Sequence, residues 1–195
     1  MTRRSPEVVR PAVCYGTRGR LGRHAVRCTA LWTCLLWGVV GLLTGLQAQA
    51  LEVGQAAPAF RAHLETGQEL TLAQEQGKVV LIHFWATWCI PCRTEMPAME
   101  RYYQRHRAQG LEILTVSMDE ADDLPRMRQM MTHYSYPALW YPQADFKAFG
   151  RIWRIPLSFV IDRQGILRQD AWDGGDEGLD EAVLERVVTP LLTQP

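Results

Sequence analysis

Cys89 and Cys92 stand two residues apart, with Ile90 and Pro91 between them. Thiols at this spacing close too small a loop to stabilise a fold much, so their value lies in chemistry. Three readings compete. Zinc needs four ligands, yet there is no second C-x-x-C, and His63, His83, His106 and His133 are scattered without an H-x-x-x-H spacing. An inert pair of buried thiols is the second reading. Disulfide exchange is the third and the favoured one, because the pair follows an apolar run and precedes a helical pattern. At a helix N-terminus, free N–H groups and the macrodipole stabilise a thiolate. Cys89 then acts as the exposed nucleophile. Cys92, about one turn further in, is the buried resolver that attacks a mixed disulfide formed on Cys89.

The elements that must position these thiols lie on both sides of them. Residues 79–85, V-V-L-I-H-F-W, suit a strand buried on both faces. Trp85 and Trp88 supply an apolar surround and a flat docking surface. Pro91 fits a first helical turn, where its missing N–H has no intrahelical partner to lose. The helix is expected over 90–109, kinked at Pro97 and stopped by Gly110. A strand at 111–117 then completes a β-α-β crossover, which requires parallel strands. Upstream, 59–64 and 69–72 flank a turn and read as an N-terminal hairpin, with one helical turn at 73–76. Downstream, Asp122 and Asp123 cap a second helix reaching about residue 134, then come a short strand at 138–141 and a helical turn at 146–150. Strands at 157–161 and 166–171 flank the turn at 162–165, and a Gly- and Asp-rich loop at 173–178 leads to a closing helix at 179–192. This order predicts an α/β fold: a central mixed sheet flanked by helices, with an N-terminal β-hairpin and a central insertion. Met127, Met130 and Met131 have the spacing of a helix core face, which is favoured over copper binding. The acidic run at 119–123 reads as helix capping rather than a metal site.

Charge and cysteine usage speak to compartment. The net charge is zero, but the first 50 residues hold seven Arg against the single acid Glu7, leaving 14 cations against 20 acids in the remaining 145. Residues 30–46 form a charge-free apolar run of 17, followed by Ala48-Gln49-Ala50, the small-x-small pattern of a cleavage site. A cleaved signal peptide is favoured over a membrane anchor, and a twin-arginine signal is disfavoured because Arg3-Arg4 lies too far from the run. The long basic region also fits a later translation start, such as Val26. Either way residues 1–50 are the leader, and 51–195 form one exported domain. Cys14, Cys28 and Cys34 fall in the leader, so the domain keeps only Cys89 and Cys92 and has no structural disulfide framework.

The segments V-G-Q-A-A-P-A-F at 53–60 and G-K-V-V-L-I-H-F-W-A-T-W-C-I-P-C-R-T-E-M-P at 77–97 resemble the exported thioredoxin-like thiol–disulfide oxidoreductases of the TlpA/ResA type. The resemblance spans about residues 52–192 and implies a thioredoxin-like fold. It also implies a cis-proline facing the C-x-x-C. The matching segment, I-P-L-S-F-V-I-D-R-Q-G, makes this Pro156. Leu157 departs from the P-T-[ST]-F pattern of the family, a departure that bears on partner docking. Substrate contacts are implied for Trp88, Ile155 and Pro91. Thioredoxins proper carry a buried Asp where this chain has His83, so another base is needed for the resolving step. The resemblance points to Glu120, with Glu95 as the second candidate. Glu95 reads better as part of a solvated helix face, and His83 better as core packing than as a redox group.

Strong oxidants of this fold stabilise their reduced thiolate, often through a histidine between the cysteines. Ile90 and Pro91 supply neither charge nor donor, and less thiolate stabilisation means a lower potential, nearer about −270 mV than about −120 mV. Arg93 beside Cys92 works weakly against this. A reductase is expected, with no cofactor, no metal, no nucleic-acid partner, and a monomeric state. By resemblance its substrates are disulfides on exported proteins, in cytochrome c maturation or copper-site assembly. Its electron donor is a membrane thiol-transfer protein. A copper-carrying metallochaperone and a thiol peroxidase, whose family shares the V-G-x-x-A-P-x-F opening, are the alternatives.

Overall fold

The computed structural model describes residues 51–170 and 178–194. The leader and all but the last residue of the loop expected at 173–178 lie outside the described residues. Two short strands, β1 (Arg61–His63) and β2 (Glu69–Thr71), pair antiparallel as the N-terminal hairpin. A 3-10 turn over Leu72–Glu75 leads to β3 (Val79–Trp85), every residue of which is buried. Helix α1 (Ile90–His106) follows, extended by a 3-10 turn over Arg107–Gln109 and stopped by Gly110 at φ 87°. That left-handed conformation costs glycine nothing because it has no Cβ. Strand β4 (Leu111–Ser117) returns parallel to β3 in the register Val79↔Leu111 through Trp85↔Ser117.

Helix α2 (Leu124–Met131) is shorter than its sequence pattern suggests, and Asp123 at its N-cap position makes no side-chain capping bond. Asp122 and Asp123 instead lie in a 3-10 turn over Ala121–Asp123. The capping expected of this acidic run is therefore not made. Met127 is buried and Met130 and Met131 pack against the core, as the helical spacing predicts. Strand β5 (Ala138–Trp140) pairs parallel with β4, and the central insertion adds β6 (Ala144–Asp145), which crosses to pair with β1. Strands β7 (Leu157–Ile161) and β8 (Leu167–Asp170) form a hairpin. The closing helix is two pieces, α3 (Glu181–Val187) and α4 (Thr189–Leu192). Pro190, in the first turn of α4, has no N–H to continue the α3 ladder.

The main sheet has the order β5-β4-β3-β7-β8, with β3 central, parallel to β4 and antiparallel to β7. Side chains alternate across a strand, and β3 divides two cores by that rule. Val79, Leu81 and Trp85 join the cluster containing Cys89, Cys92, Met96 and Met99 of α1. Val80, Ile82 and Phe84 join the opposite cluster with Phe149, Phe159 and Leu167. His83 belongs by alternation to the α1 face. This places one polar residue beneath the helix that carries the cysteines.

Candidate active site

Cys89 is the N-cap of α1, and Cys89 and Cys92 are joined in a disulfide. The Cys92 backbone N–H donates to Cys89 Sγ at 3.3 Å, so the helix N-terminus supports negative charge on that sulfur. Cys92 is completely buried and Cys89 is 5% exposed. Both are buried, where an exposed Cys89 and a buried Cys92 are expected. Cys89 is less open than expected, because in the oxidised form its sulfur is folded against Cys92 and the helix end. Trp88 and Ile90 stand out on either side of it, 57% and 68% exposed. Trp85 is fully buried in the core, so of the two tryptophans expected to form a docking surface only Trp88 is open to solvent.

The loop from β3 into α1 is tied down by Asp119. Its carboxylate accepts from the Thr87 backbone N–H at 3.0 Å, from the Thr87 hydroxyl at 2.8 Å and from the Ser117 hydroxyl at 2.7 Å. Trp140 Nε1 donates to the Asp119 carbonyl at 2.7 Å, and the Met118 N–H to the Trp85 carbonyl at 2.7 Å. Asp119 and Thr87 are both fully buried. A buried carboxylate persists only where it is hydrogen-bonded in this way. The end of β4 thus fixes the peptide that presents Cys89.

The Ile155–Pro156 peptide bond is cis. β7 begins at Leu157, opposite Phe84 of β3, which sets Pro156 at the cysteine-bearing end of the central strand. Ile155 packs against the cluster holding Cys89 and Cys92.

Two buried titratable groups lie under the disulfide. Glu95, three residues after Cys92 and so on the same helix face, is buried rather than solvated. Loss of water pushes its carboxyl up to about 7, opposed only in part by a hydrogen bond from the Leu179 backbone N–H. Its Oε2 has no hydrogen-bond partner among the described residues. His83 Nδ1 is 2.9 Å from Ser158 Oγ, and its Nε2 is 3.9 Å from Glu95 Oε2. Burial pushes the imidazole down to about 3, so His83 is neutral and this approach is not an ion pair.

Glu120, expected beside the thiols, is exposed, and its carboxylate faces the Tyr141 hydroxyl at 3.5 Å. The solvated reading of Glu95 is overturned for a simple reason. The closing segment packs over α1, and a Cβ on Gly178 would lie 3.0 Å from Glu95 Oε1. A helical pattern cannot reveal which outer face a distant segment covers. The i, i+3 spacing from Cys92 was the available signal. No comparable local signal marks Asp119, whose role depends on the approach of two strand ends.

A disulfide at a helix N-terminus, a cis-proline beside it and a mixed sheet packed on both faces define a thiol–disulfide oxidoreductase of thioredoxin-like fold. Comparison with known proteins agrees. The chain is 32% identical over 141 residues to the thiol-disulfide oxidoreductase ResA of Bacillus thuringiensis, spanning 70% of this chain and 81% of the relative. It is 32% identical over 121 residues to the thioredoxin-like protein YneN of Bacillus subtilis, spanning 60% and 70%. A solved thiol:disulfide interchange protein of the thioredoxin family from Chlorobium tepidum superposes with a TM-score of 0.60 at 28% identity, covering 73% of this chain and 99% of that one. Residues 53–170 match the AhpC/TSA family, and the chain belongs to it.

Proposed function

We propose that this chain is an extracytoplasmic reductase of protein disulfides, with Cys89 as nucleophile, Cys92 as resolving thiol and Glu95 as the proton acceptor for Cys92. The observation that carries the reading is the buried Glu95 carboxyl, one helical turn beyond Cys92 and held near neutrality. A base poised near the working pH is the efficient one. In the forward direction the Cys89 thiolate attacks a client disulfide, forming a mixed disulfide and expelling one client thiolate. Glu95 takes the Cys92 proton, and the Cys92 thiolate attacks Cys89 Sγ. The Cys89–Cys92 disulfide forms and the second client thiolate leaves. Two electrons have passed from the dithiol to the client.

Ile90 and Pro91 offer the thiolate neither charge nor hydrogen-bond donor, which supports a reducing poise. The leader, residues 1–50, acts as signal peptide or anchor, and 51–195 is the exported thioredoxin-like domain. The clients are disulfides on exported proteins, such as apocytochrome c or copper-site proteins, and a membrane thiol-transfer protein resupplies electrons to the monomer. Trp88, Pro91, Ile155 and Pro156 contact the client, and Glu120 lies outside the proton path. A Cys92→Ser variant is expected to hold clients as mixed disulfides on Cys89, named by mass spectrometry. A reduction potential above that of the glutathione pool, or a trap that accumulates no mixed disulfide, overturns the reading.

A further inference from the structure

Four large hydrophobic side chains are exposed among the described residues: Val53, Trp88, Ile90 and Trp153. Three of them belong to the surface around the disulfide and the loop leading to Pro156. Trp153 is the most exposed, at 71%, and the disulfide chemistry above gives it no task. Trp88 and Trp153 face a common hollow of about 370 Å³, completed by Met118, Ile152, Arg154 and Ile155. A second hollow of about 370 Å³, lined by Met118, Phe146, Lys147, Gly150, Arg151 and Ile152, shares Met118 and Ile152 with the first. The two adjoin at these residues as a trough that reaches from Trp88, the neighbour of Cys89, to Lys147 of the central insertion.

Its floor is apolar and its rim is cationic. Among the described residues, Lys147, Arg151 and Arg154 line it and no acid does. Arg154 lies 5.6 Å from the Trp153 ring centroid, so one of the cations is stacked on the aromatic wall. Of the acids next to the lining residues in sequence, Asp119 is buried and used by the Thr87 loop, Glu120 is turned to Tyr141, and Asp145 accepts from the Lys147 backbone N–H at 3.5 Å. Each hollow has the volume of the smallest ligand sites, suited to individual side chains rather than to a large cofactor. Exposed aromatics and arginine around an apolar floor are the composition of a protein-binding patch.

We propose that this trough docks an extended client segment and selects one in which an aromatic or large aliphatic residue and an acid lie close to the disulfide-bonded cysteine. This rests on the disulfide-reductase reading and extends its contacts from Trp88 and Ile155 to Ile152, Trp153 and Arg151. The aromatic side chain fills the hollow between Trp88 and Trp153. The acid meets the cationic rim, which orients the segment and speeds its approach.

The test uses the reduced protein and four short peptides, each carrying one cysteine as a mixed disulfide with thionitrobenzoate. Phe or Ser, combined with Asp or Lys, flanks the cysteine on both sides, and thionitrobenzoate release gives the rate. The Phe/Asp peptide is expected to react at least about tenfold faster than Ser/Lys, equivalent to about 1.4 kcal/mol. The Asp preference should shrink as salt is raised. Trp153→Ser should bring the Phe/Ser rate ratio toward one, and Arg151→Glu should bring the Asp/Lys ratio to one or below. Equal rates for all four peptides, or ratios untouched by both substitutions, overturn the docking inference while leaving the reductase reading intact. Failure of every peptide to react overturns both.

Discussion

Replacing Glu95 by Gln tests the buried carboxyl through stability as well as catalysis. Burial raises its pKa from 4.5 to about 7. The native protein therefore binds a proton at Glu95 that the unfolded chain has already released between these values. The stability it contributes is fully present below pH 4.5 and is lost as pH rises to and through about 7. At about 1.4 kcal/mol for each tenfold difference in proton affinity, the loss approaches about 3 kcal/mol by pH 8. Gln mimics the neutral acid and cannot ionise. The oxidised Glu95→Gln variant should then lack this decline, and its advantage over the parent should grow by about 2 to 3 kcal/mol between pH 5 and pH 8. Urea unfolding of both proteins at the two pH values measures it. Any fixed cost of burying the amide cancels between the two conditions. The same variant should resolve a mixed disulfide about 100-fold more slowly at pH 8, the usual contribution of a general base. Parallel stability profiles for the two proteins would refute a buried carboxyl at this position.

His83 predicts the opposite pH dependence. Its imidazole is lowered from 6.5 to about 3, so the unfolded chain gains a proton first, and stability should fall as pH drops from 6.5 toward 3. His83→Asn should flatten that acid limb, as followed by thermal unfolding between pH 3 and pH 7. Asp119→Asn should weaken the bonds to Thr87 and Ser117, costing about 1 to 3 kcal/mol. It should also slow mixed-disulfide formation on Cys89, read by stopped-flow fluorescence. Asp119→Asn with unchanged stability would remove the loop-anchoring role assigned to that residue.

Much of the fold was legible because its signals are local. The apolar run of β3, the glycine that stops α1 and the turn at 162–165 between β7 and β8 each occupy a few consecutive residues, and each is found where expected. The short strand β6 has no signal in the sequence, since two residues paired across to β1 leave no periodic pattern. The closing segment has one helical pattern over 179–192, although Pro190 divides it into two pieces. The sequence pattern of α2 outruns the helix itself because its apolar spacing continues into residues that turn instead.

By itself the sequence determined the reactive pair. Two cysteines at a strand-to-helix junction obtain their chemistry from spacing and from the free N–H groups of the helix they begin. It also carried Pro156, through the segment that matches a known family. The tertiary structure decided the environment of those thiols, because burial and proton affinity depend on what packs from elsewhere in the chain. Glu95 and Glu120 look alike as letters. Packing of the closing segment buries Glu95 and drives its carboxyl toward neutrality, while Glu120 remains at the surface against Tyr141. Desolvation, a property of the folded neighbourhood, made that choice.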